Sequence, residues 1–145
     1  PFFRRLAQDL RWVGAQVCKV NFNGGDLLFY PSGAVNFRGE PHEWSGFLDR
    51  LIDERRIDVV LMFGDCRPIH RVAREIASAR GIEIGVFEEG YIRPNFITFE
   101  RFGVNGHSQL PRSPLFYRNR DVGDPLPSKR VEGTFANAAM WATLY

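Results

Sequence analysis

Two adjacent glutamates, Glu88 and Glu89, stand where an apolar strand is predicted to end. They belong to the run FEEGYIRP (87–94), in which a glycine, a tyrosine and Arg93 follow the two glutamates. Charged groups of both signs at the mouth of a buried strand cost free energy unless they bind something. In open α/β sheets, ligands bind at the carboxyl ends of the strands. The glutamate pair is therefore the first candidate for a catalytic site.

A third carboxylate, Asp65, follows another predicted apolar strand. If the two strands are neighbours in a parallel sheet, about 4.8 Å apart, all three acids share one edge of that sheet. Successive strand residues point to opposite faces, so we expect only one of Glu88 and Glu89 to face a cleft. A purely structural role is the alternative, with Asp65 as a turn residue that accepts backbone hydrogen bonds.

Arg67 and His70 open the helix that is predicted after Asp65, where backbone amides favour anions. They are candidate substrate-binding residues, together with Arg93 of the FEEGYIRP run. His70 lies one position beyond the apolar stripe of that helix, so a solvated surface histidine is the alternative.

Two glycine-bearing loops add further candidates. The NFNGGD loop contributes Asn23 and Asp26, with a tight turn as the alternative. The GVNGHS segment contributes Asn105, His107 and Ser108, whose small polar groups suit either a bound sugar or a surface turn.

These residues need a scaffold, and the apolar pattern predicts an α/β fold. The continuous apolar runs 58–63 and 82–87 are typical of parallel strands buried on both faces. A helical pattern between them completes a right-handed βαβ unit. We predict a Rossmann-like, mainly parallel sheet containing 17–20, 58–63 and 82–87, further short strands at 27–30 and 34–37, and helices over about 2–13, 42–55 and 68–80.

Composition indicates the number of domains and which kinds of partner, metal site and membrane segment to expect. The 145 residues suit one domain, and 17 arginines against two lysines are scattered along a chain of net charge +2, which argues against a nucleic-acid partner. Cys18 and Cys66 are predicted to be buried free thiols of a cytoplasmic protein. No Cys/His cluster has zinc spacing, so neither a metal nor a cofactor is expected. The sequence contains no run of 18 apolar residues, so no membrane span is predicted.

The motifs resemble those of bacterial capsule polysaccharide biosynthesis and export proteins of the KpsS/LipB type. The resemblance extends over nearly the whole chain, and its most specific part runs from FEEGYIRP to GVNGHS. The similar stretches are PFFRRL (1–6), VNFNGGD (20–26), FGDCRPIH (63–70), FEEGYIRP (87–94) and TFERFGVNGHS (98–108).

The resemblance implies a retaining glycosyltransferase with the two-lobed GT-B architecture. It would transfer Kdo (3-deoxy-D-manno-oct-2-ulosonic acid) from CMP-Kdo to a phosphatidylglycerol-linked acceptor, building the lipid linker of the capsule. By the same match, Glu89 is the expected nucleophile or base. The anionic substrates suit Arg67 and Arg93. A cytoplasmic location at the inner membrane is implied, with other capsule assembly and export proteins as partners.

The family is more than twice as long as this chain. Residues 1–132 are therefore expected to form the N-terminal, acceptor-side lobe without its first strand, and 133–145 to begin a helix toward a C-terminal nucleotide-binding lobe. We expect a gap or displaced strand near the middle of the sheet, incomplete cover on the first helix, and no Kdo transfer by this fragment alone.

Two other functions fit the residues. One is a non-catalytic module that recruits lipid-linked capsule glycan or the export machinery. The other is a phosphate-binding domain of the response-regulator class, with Asp65 as the phosphoacceptor.

Overall fold

The computed structural model describes residues 2–91, 96–121 and 123–124. They form five helices and five strands: α1 (Phe2–Trp12), β1 (Lys19–Asn21), α2 (Gly24–Phe29), β2 (Ala34–Asn36), α3 (Trp44–Arg55), β3 (Val59–Phe63), α4 (Pro68–Ala79), β4 (Glu83–Glu89), β5 (Ile97–Arg101) and α5 (Pro114–Arg118). Short 3₁₀ turns cover Pro41–Glu43 and Asn105–His107. Within these ranges, no helix has the length and hydropathy that crossing a bilayer requires.

The main sheet has the strand order β3-β4-β5. Strands β3 and β4 pair in parallel, with Val59 opposite Glu83 and Phe63 opposite Phe87. Helix α4 connects them, which confirms the predicted βαβ unit. Strand β5 returns antiparallel to β4, so the sheet is mixed.

Strands β1 and β2 pair in parallel and form a separate two-stranded sheet. The prediction that 17–20 lies in one sheet with 58–63 and 82–87 is therefore wrong for the described residues. Buried Asn21 helps to hold the smaller unit together, because its amide donates to the Tyr30 carbonyl (3.0 Å) and to Asn36 Oδ1 (3.2 Å).

The segment 27–30, predicted as a strand, belongs largely to helix α2. Asn23 caps this helix by accepting the backbone N–H of Asp26 at 2.9 Å. Asp26 in turn accepts the Phe22 N–H at 2.9 Å. Side-chain caps of this kind favour a helical turn, and here they outweigh the short apolar run that follows. The predicted strand at 34–37 is confirmed as β2.

The core lies between one face of the main sheet and helices α3 and α4. Helix α4 begins with Pro68, suited to a first helical position, and ends before Gly81, whose φ of +66° is easiest for glycine. The buried cluster comprises Trp44, Leu48, Ile52, Met62, Ala73, Ala77, Ile84, Val86 and Val104.

The opposite face of the sheet carries a row of three phenylalanines. Phe63, Phe87 and Phe99 occupy paired positions on the three strands, and Phe87 stacks on Phe99 at 4.4 Å between ring centroids. Phe2 and Phe3 of α1 cover Phe63 and Phe87. Along α1 the cover is incomplete, as expected: its start is half-buried, whereas Val13 just beyond its end is 70% exposed.

Candidate functional site

Asp65 is a buried carboxylate at the carboxyl end of β3. The strand continues one residue further, since the Gly64 N–H donates to the Phe87 carbonyl at 2.7 Å. Gly64 then adopts a φ of +71°, which turns the chain and places Asp65 inside, at 1% exposure. Within the described chain, this is the most deeply buried charged side chain.

Both oxygens of Asp65 accept hydrogen bonds. The Cys66 thiol donates to Oδ1 at 3.2 Å. The Val104 N–H donates to Oδ2 at 3.2 Å, and His107 Nδ1 lies 3.0 Å from the same oxygen. Arg74 Nη1 is 3.8 Å away, within ion-pair range but beyond a hydrogen bond.

These contacts determine the charge state of the group. Burial raises the pKa of Asp65, but the hydrogen bonds from Cys66 and Val104, with the charge and hydrogen bond of His107, outweigh it and hold the pKa below its usual value. An ionised carboxylate can only accept, so Nδ1 of His107 carries the proton and donates it. When the imidazole is neutral, its Nε2 atom is an acceptor, on a side chain that is 49% exposed.

The turn at residues 103–107 is fixed onto the edge of the sheet. Val104 is completely buried in the core and anchors the turn. Gly103 passes so close that a Cβ there would lie 2.6 Å from the Cβ of His107 and 3.0 Å from Asp65 Oδ2. The His107 N–H closes the turn on the Val104 carbonyl at 2.9 Å.

Substituting Gly103 by alanine is expected to destabilise the protein by about 1–3 kcal/mol, because the added methyl group overpacks a closed site. Gly106 in the same turn is the matched control, since a Cβ there has open space around it. Urea unfolding of Gly103→Ala and Gly106→Ala measures both. Equal stability of the two variants would contradict the packing of this turn.

Glu88 and Glu89 occupy opposite faces of β4. Half-buried Glu88 lies on the core face, and its Oε2 accepts a long hydrogen bond from Asn105 Nδ2 at 3.4 Å. Its Oε1 accepts the Glu89 N–H at 3.0 Å. Glu89 is exposed on the phenylalanine face, paired with Ile97. The turn at 103–107 therefore contacts both Asp65 and Glu88 and joins the ends of two parallel strands.

Arg67 and His70 lie at the start of α4, beside this edge. Arg67 is the exposed N-cap residue, with extended backbone. His70 is half-buried, with Nδ1 buried and without a hydrogen-bond partner, so it is not the solvated surface residue of the alternative reading. Burial lowers the pKa of His70, and the neighbouring Arg67 lowers it further.

The remaining candidates are placed differently. Asn23 and Asp26 cap helix α2, and Asp26 also forms a 3.9 Å ion pair with Lys19. Ser108 donates its hydroxyl proton to Glu100 at 2.5 Å, away from Asp65. Arg93 and the segment 133–145 lie outside the described residues.

Cys66 is a site residue that the sequence analysis missed. Both cysteines are free thiols, as predicted, but Cys66 is exposed and Cys18 only half-buried. The hydrogen bond that Cys66 donates to Asp65 raises the pKa of the thiol. The sequence feature that could have indicated this role is the position of Cys66 directly after Asp65, in the turn that follows β3.

Comparison with known proteins assigns the family. The sequence profile described as "Capsule polysaccharide biosynthesis protein" matches residues 58–145, more than half of the chain. This protein belongs to the capsule polysaccharide biosynthesis family. The matched region contains Asp65, the glutamate pair and the turn at 103–107, so the candidate site lies within the matched residues.

Individual relatives support the assignment. The chain is 44% identical over 133 residues to the capsule polysaccharide export protein KpsS of Escherichia coli, covering 91% of this chain and 33% of that protein. It is 43% identical over 119 residues to the capsule polysaccharide modification protein LipB of Neisseria meningitidis serogroups A and B, covering 80% of this chain and 28% of each LipB. The chain thus spans about a third of the length of these relatives. No solved structure matches it.

Proposed function

We propose that the protein acts in capsule biosynthesis as a retaining glycosyltransferase that transfers Kdo from CMP-Kdo to a phosphatidylglycerol-linked acceptor. The observation that carries this proposal is the convergence of Asp65, Glu88 and His107 at one edge of the sheet. An ionised buried carboxylate, a second carboxylate and an oriented imidazole are the groups that acid–base and covalent glycosyl transfer require. The region described here contributes the acceptor side of a GT-B architecture.

The chemistry places a carboxylate beside the anomeric carbon of Kdo. As the bond between that carbon and the phosphate oxygen breaks, CMP leaves with the electron pair and positive charge develops on the sugar. A carboxylate of the pair Glu88/Glu89 stabilises this charge or traps it covalently, which allows retention. Family resemblance assigns that role to Glu89. Glu88 lies on the face of β4 opposite Glu89, where Asn105 of the turn at 103–107 holds it, and it is the alternative carboxylate for this role.

The Asp65–His107 pair supplies the base. Asp65 holds Nδ1–H, so the lone pair of Nε2 is available to an acceptor hydroxyl. When the new glycosidic bond forms, the hydroxyl proton moves to Nε2, and the buried carboxylate stabilises the imidazolium. The arrangement needs no metal ion for this step. Arg67, exposed at the start of α4, is placed to attract the anionic donor or acceptor.

Transfer of Kdo by the complete product of the gene tests this proposal. The assay incubates the protein with CMP-Kdo and phosphatidylglycerol-based acceptor, and mass spectrometry detects the added Kdo. His107→Ala is expected to lower kcat by about 10²-fold, because the acceptor hydroxyl loses its base. His42→Ala, at an exposed histidine in the turn before α3, is the control and should transfer normally. Absence of any Kdo transfer by the wild-type protein would refute the proposal.

A non-catalytic recruitment module is the second candidate. Large apolar side chains are exposed just before β5, on β5 and in the segment that follows it, and exposed apolar patches often mark partner surfaces. The exposed residues are Phe96, Ile97, Phe99, Phe102, Leu110, Leu115, Phe116 and Tyr117. Under this candidate, substitutions at Glu89 leave capsule assembly intact, whereas under the enzyme proposal they stop it.

The response-regulator reading is disfavoured by the site. A phosphoacceptor aspartate needs an oxygen open to the incoming phosphoryl group. Asp65 is 1% exposed, and both of its oxygens are already hydrogen-bonded.

A further inference from the structure

Three side chains with metal-binding atoms converge at the end of β3. They are Asp65, Cys66 and His107, whose candidate ligand atoms all lie within 4.8 Å of one another. Cys66 Sγ is 3.2 Å from Asp65 Oδ1, and His107 Nδ1 is 3.0 Å from Asp65 Oδ2. Cys66 and His107 are 41 positions apart in the sequence, so the spacing of these ligands along the chain does not reveal the group.

We propose that Asp65, Cys66 and His107 form a three-ligand site for Zn²⁺. Thiolate, imidazole and carboxylate are the three ligand types that zinc uses in proteins. Ligand atoms around one tetrahedral zinc lie roughly 3.3–3.7 Å apart, given bond lengths of about 2.0–2.3 Å. The separations of 3.2 and 3.0 Å would have to lengthen by a few tenths of an ångström, and a separation at the 4.8 Å limit would have to shorten by about 1 Å. The side chains of Cys66 and His107 are both exposed, so their torsions can supply these changes.

The surroundings of Asp65 support a cation at this position. Buried charges in proteins are normally paired or bound to a metal. Asp65 is 1% exposed, and among the described residues the nearest arginine nitrogen, Nη1 of Arg74, is 3.8 Å away, too far to donate a hydrogen bond. Its close partners there are the donors of Cys66, Val104 and His107. The Val104 N–H, at 3.2 Å from Oδ2, orients the carboxylate from the protein side, as outer contacts do for metal ligands.

Zinc would replace two protons of the present network. Cys66 would lose its thiol proton to solvent, whereas the neutral imidazole of His107 would carry its ring proton on Nε2 instead of Nδ1. Binding therefore releases one proton and tightens as the pH rises. With three protein ligands, a fourth position remains open to water, and the exposure of Cys66 and His107 gives the ion a route in.

The zinc site and the Asp65–His107 pair use the same Nδ1 atom. Bound zinc would therefore remove the hydrogen bond that orients His107. If the proposed function holds, zinc inhibits transfer instead of assisting it. This consequence rests on the proposed function, whereas zinc binding itself does not.

Cobalt substitution tests binding without any sugar substrate. The purified chain is titrated with Co²⁺ under reducing, oxygen-free conditions, and a thiolate-to-cobalt charge-transfer band in the near ultraviolet reports a Cys ligand. We expect saturation at one Co²⁺ per chain and loss of the band when Zn²⁺ is added. Cys66→Ser should abolish the band, whereas Cys18→Ser should retain it.

The histidine ligand is tested in the same titration. His107→Ala is expected to weaken Co²⁺ binding at least about tenfold. Substituting a residue that only contacts a metal ligand already costs about 10–100-fold in affinity, and loss of a ligand should cost no less. His42→Ala should bind like the wild type. Circular dichroism confirms that each variant is folded, which is expected because Cys66 and His107 are exposed. No band in the wild type, or a band that survives in Cys66→Ser, would overturn the proposal.

Discussion

Glu89→Gln is expected to lower Kdo transfer by roughly 10²–10⁴-fold, the range for a lost catalytic acid or base. Glutamine keeps the shape of the side chain but cannot stabilise or trap the cationic sugar. Glu88→Gln is expected to cost about tenfold, because the amide oxygen still accepts the Asn105 hydrogen bond while the charge beside Cys66 is lost. Transfer from CMP-Kdo by the complete gene product is the measurement.

Glu83→Gln is the control for this pair. Glu83 is exposed at the opposite end of the same strand, so its substitution should leave transfer unchanged. Activity of Glu89→Gln within tenfold of the wild type would contradict its catalytic role. If Glu88→Gln shows the larger loss, the carboxylate chemistry belongs to the core face of β4 and not to the phenylalanine face.

The βαβ unit could be predicted because its signals are local. Strands β3 and β4 are continuous apolar runs, and Pro68 and Gly81 delimit the helix between them. Their parallel pairing follows from the connection alone. The shared edge of Asp65 and Glu88 was predictable for the same reason, since it needs only the strand order.

The helical conformation of α2 could not be predicted from the pattern of apolar residues. Four residues from Leu27 to Tyr30 fit a strand as well as a helix, and the Asn23 cap decides between them. Strand β1 has only three residues, so it is stable only when it pairs with β2. The hydrogen bond from Asn21 to the Tyr30 carbonyl helps to bring the two strands together. Neither the Asn23 cap nor the Asn21 hydrogen bond produces a periodic pattern of apolar residues that sequence analysis could detect.

The centre of the site depends on a long-range contact. The turn at 103–107 reaches Asp65 across about 40 residues, through Val104 and His107. Sequence analysis assigned His107 a substrate contact and placed Cys66 in the core. Only the fold shows that these two side chains share one carboxylate, and that sharing underlies both the base and the proposed zinc site.

Asp65 should make the stability of the protein fall in acid. Its pKa is lower in the folded state than in the unfolded chain, so the carboxylate stabilises the fold at every pH above its unfolded value of about 4. The contribution disappears as the pH falls through the lower, folded value. Asp65→Asn should therefore cost about 1.5–3 kcal/mol at pH 7, the size of hydrogen bonds to a charged group.

Guanidinium unfolding of wild type and Asp65→Asn from pH 7 to pH 3, with a chelator present to exclude metal, measures this difference. The difference in unfolding free energy should narrow toward pH 3, because the unfolded wild-type chain binds a proton at Asp65 more readily than the folded protein does, while asparagine does not titrate. Asp9→Asn, at an exposed position of α1, should show a small gap throughout. If Asp65→Asn does not fold, carboxyl NMR of the wild type reports the pKa of Asp65 directly. A pKa at or above the ordinary aspartate value would show that burial, not the hydrogen bonds of Cys66, Val104 and His107, governs this group.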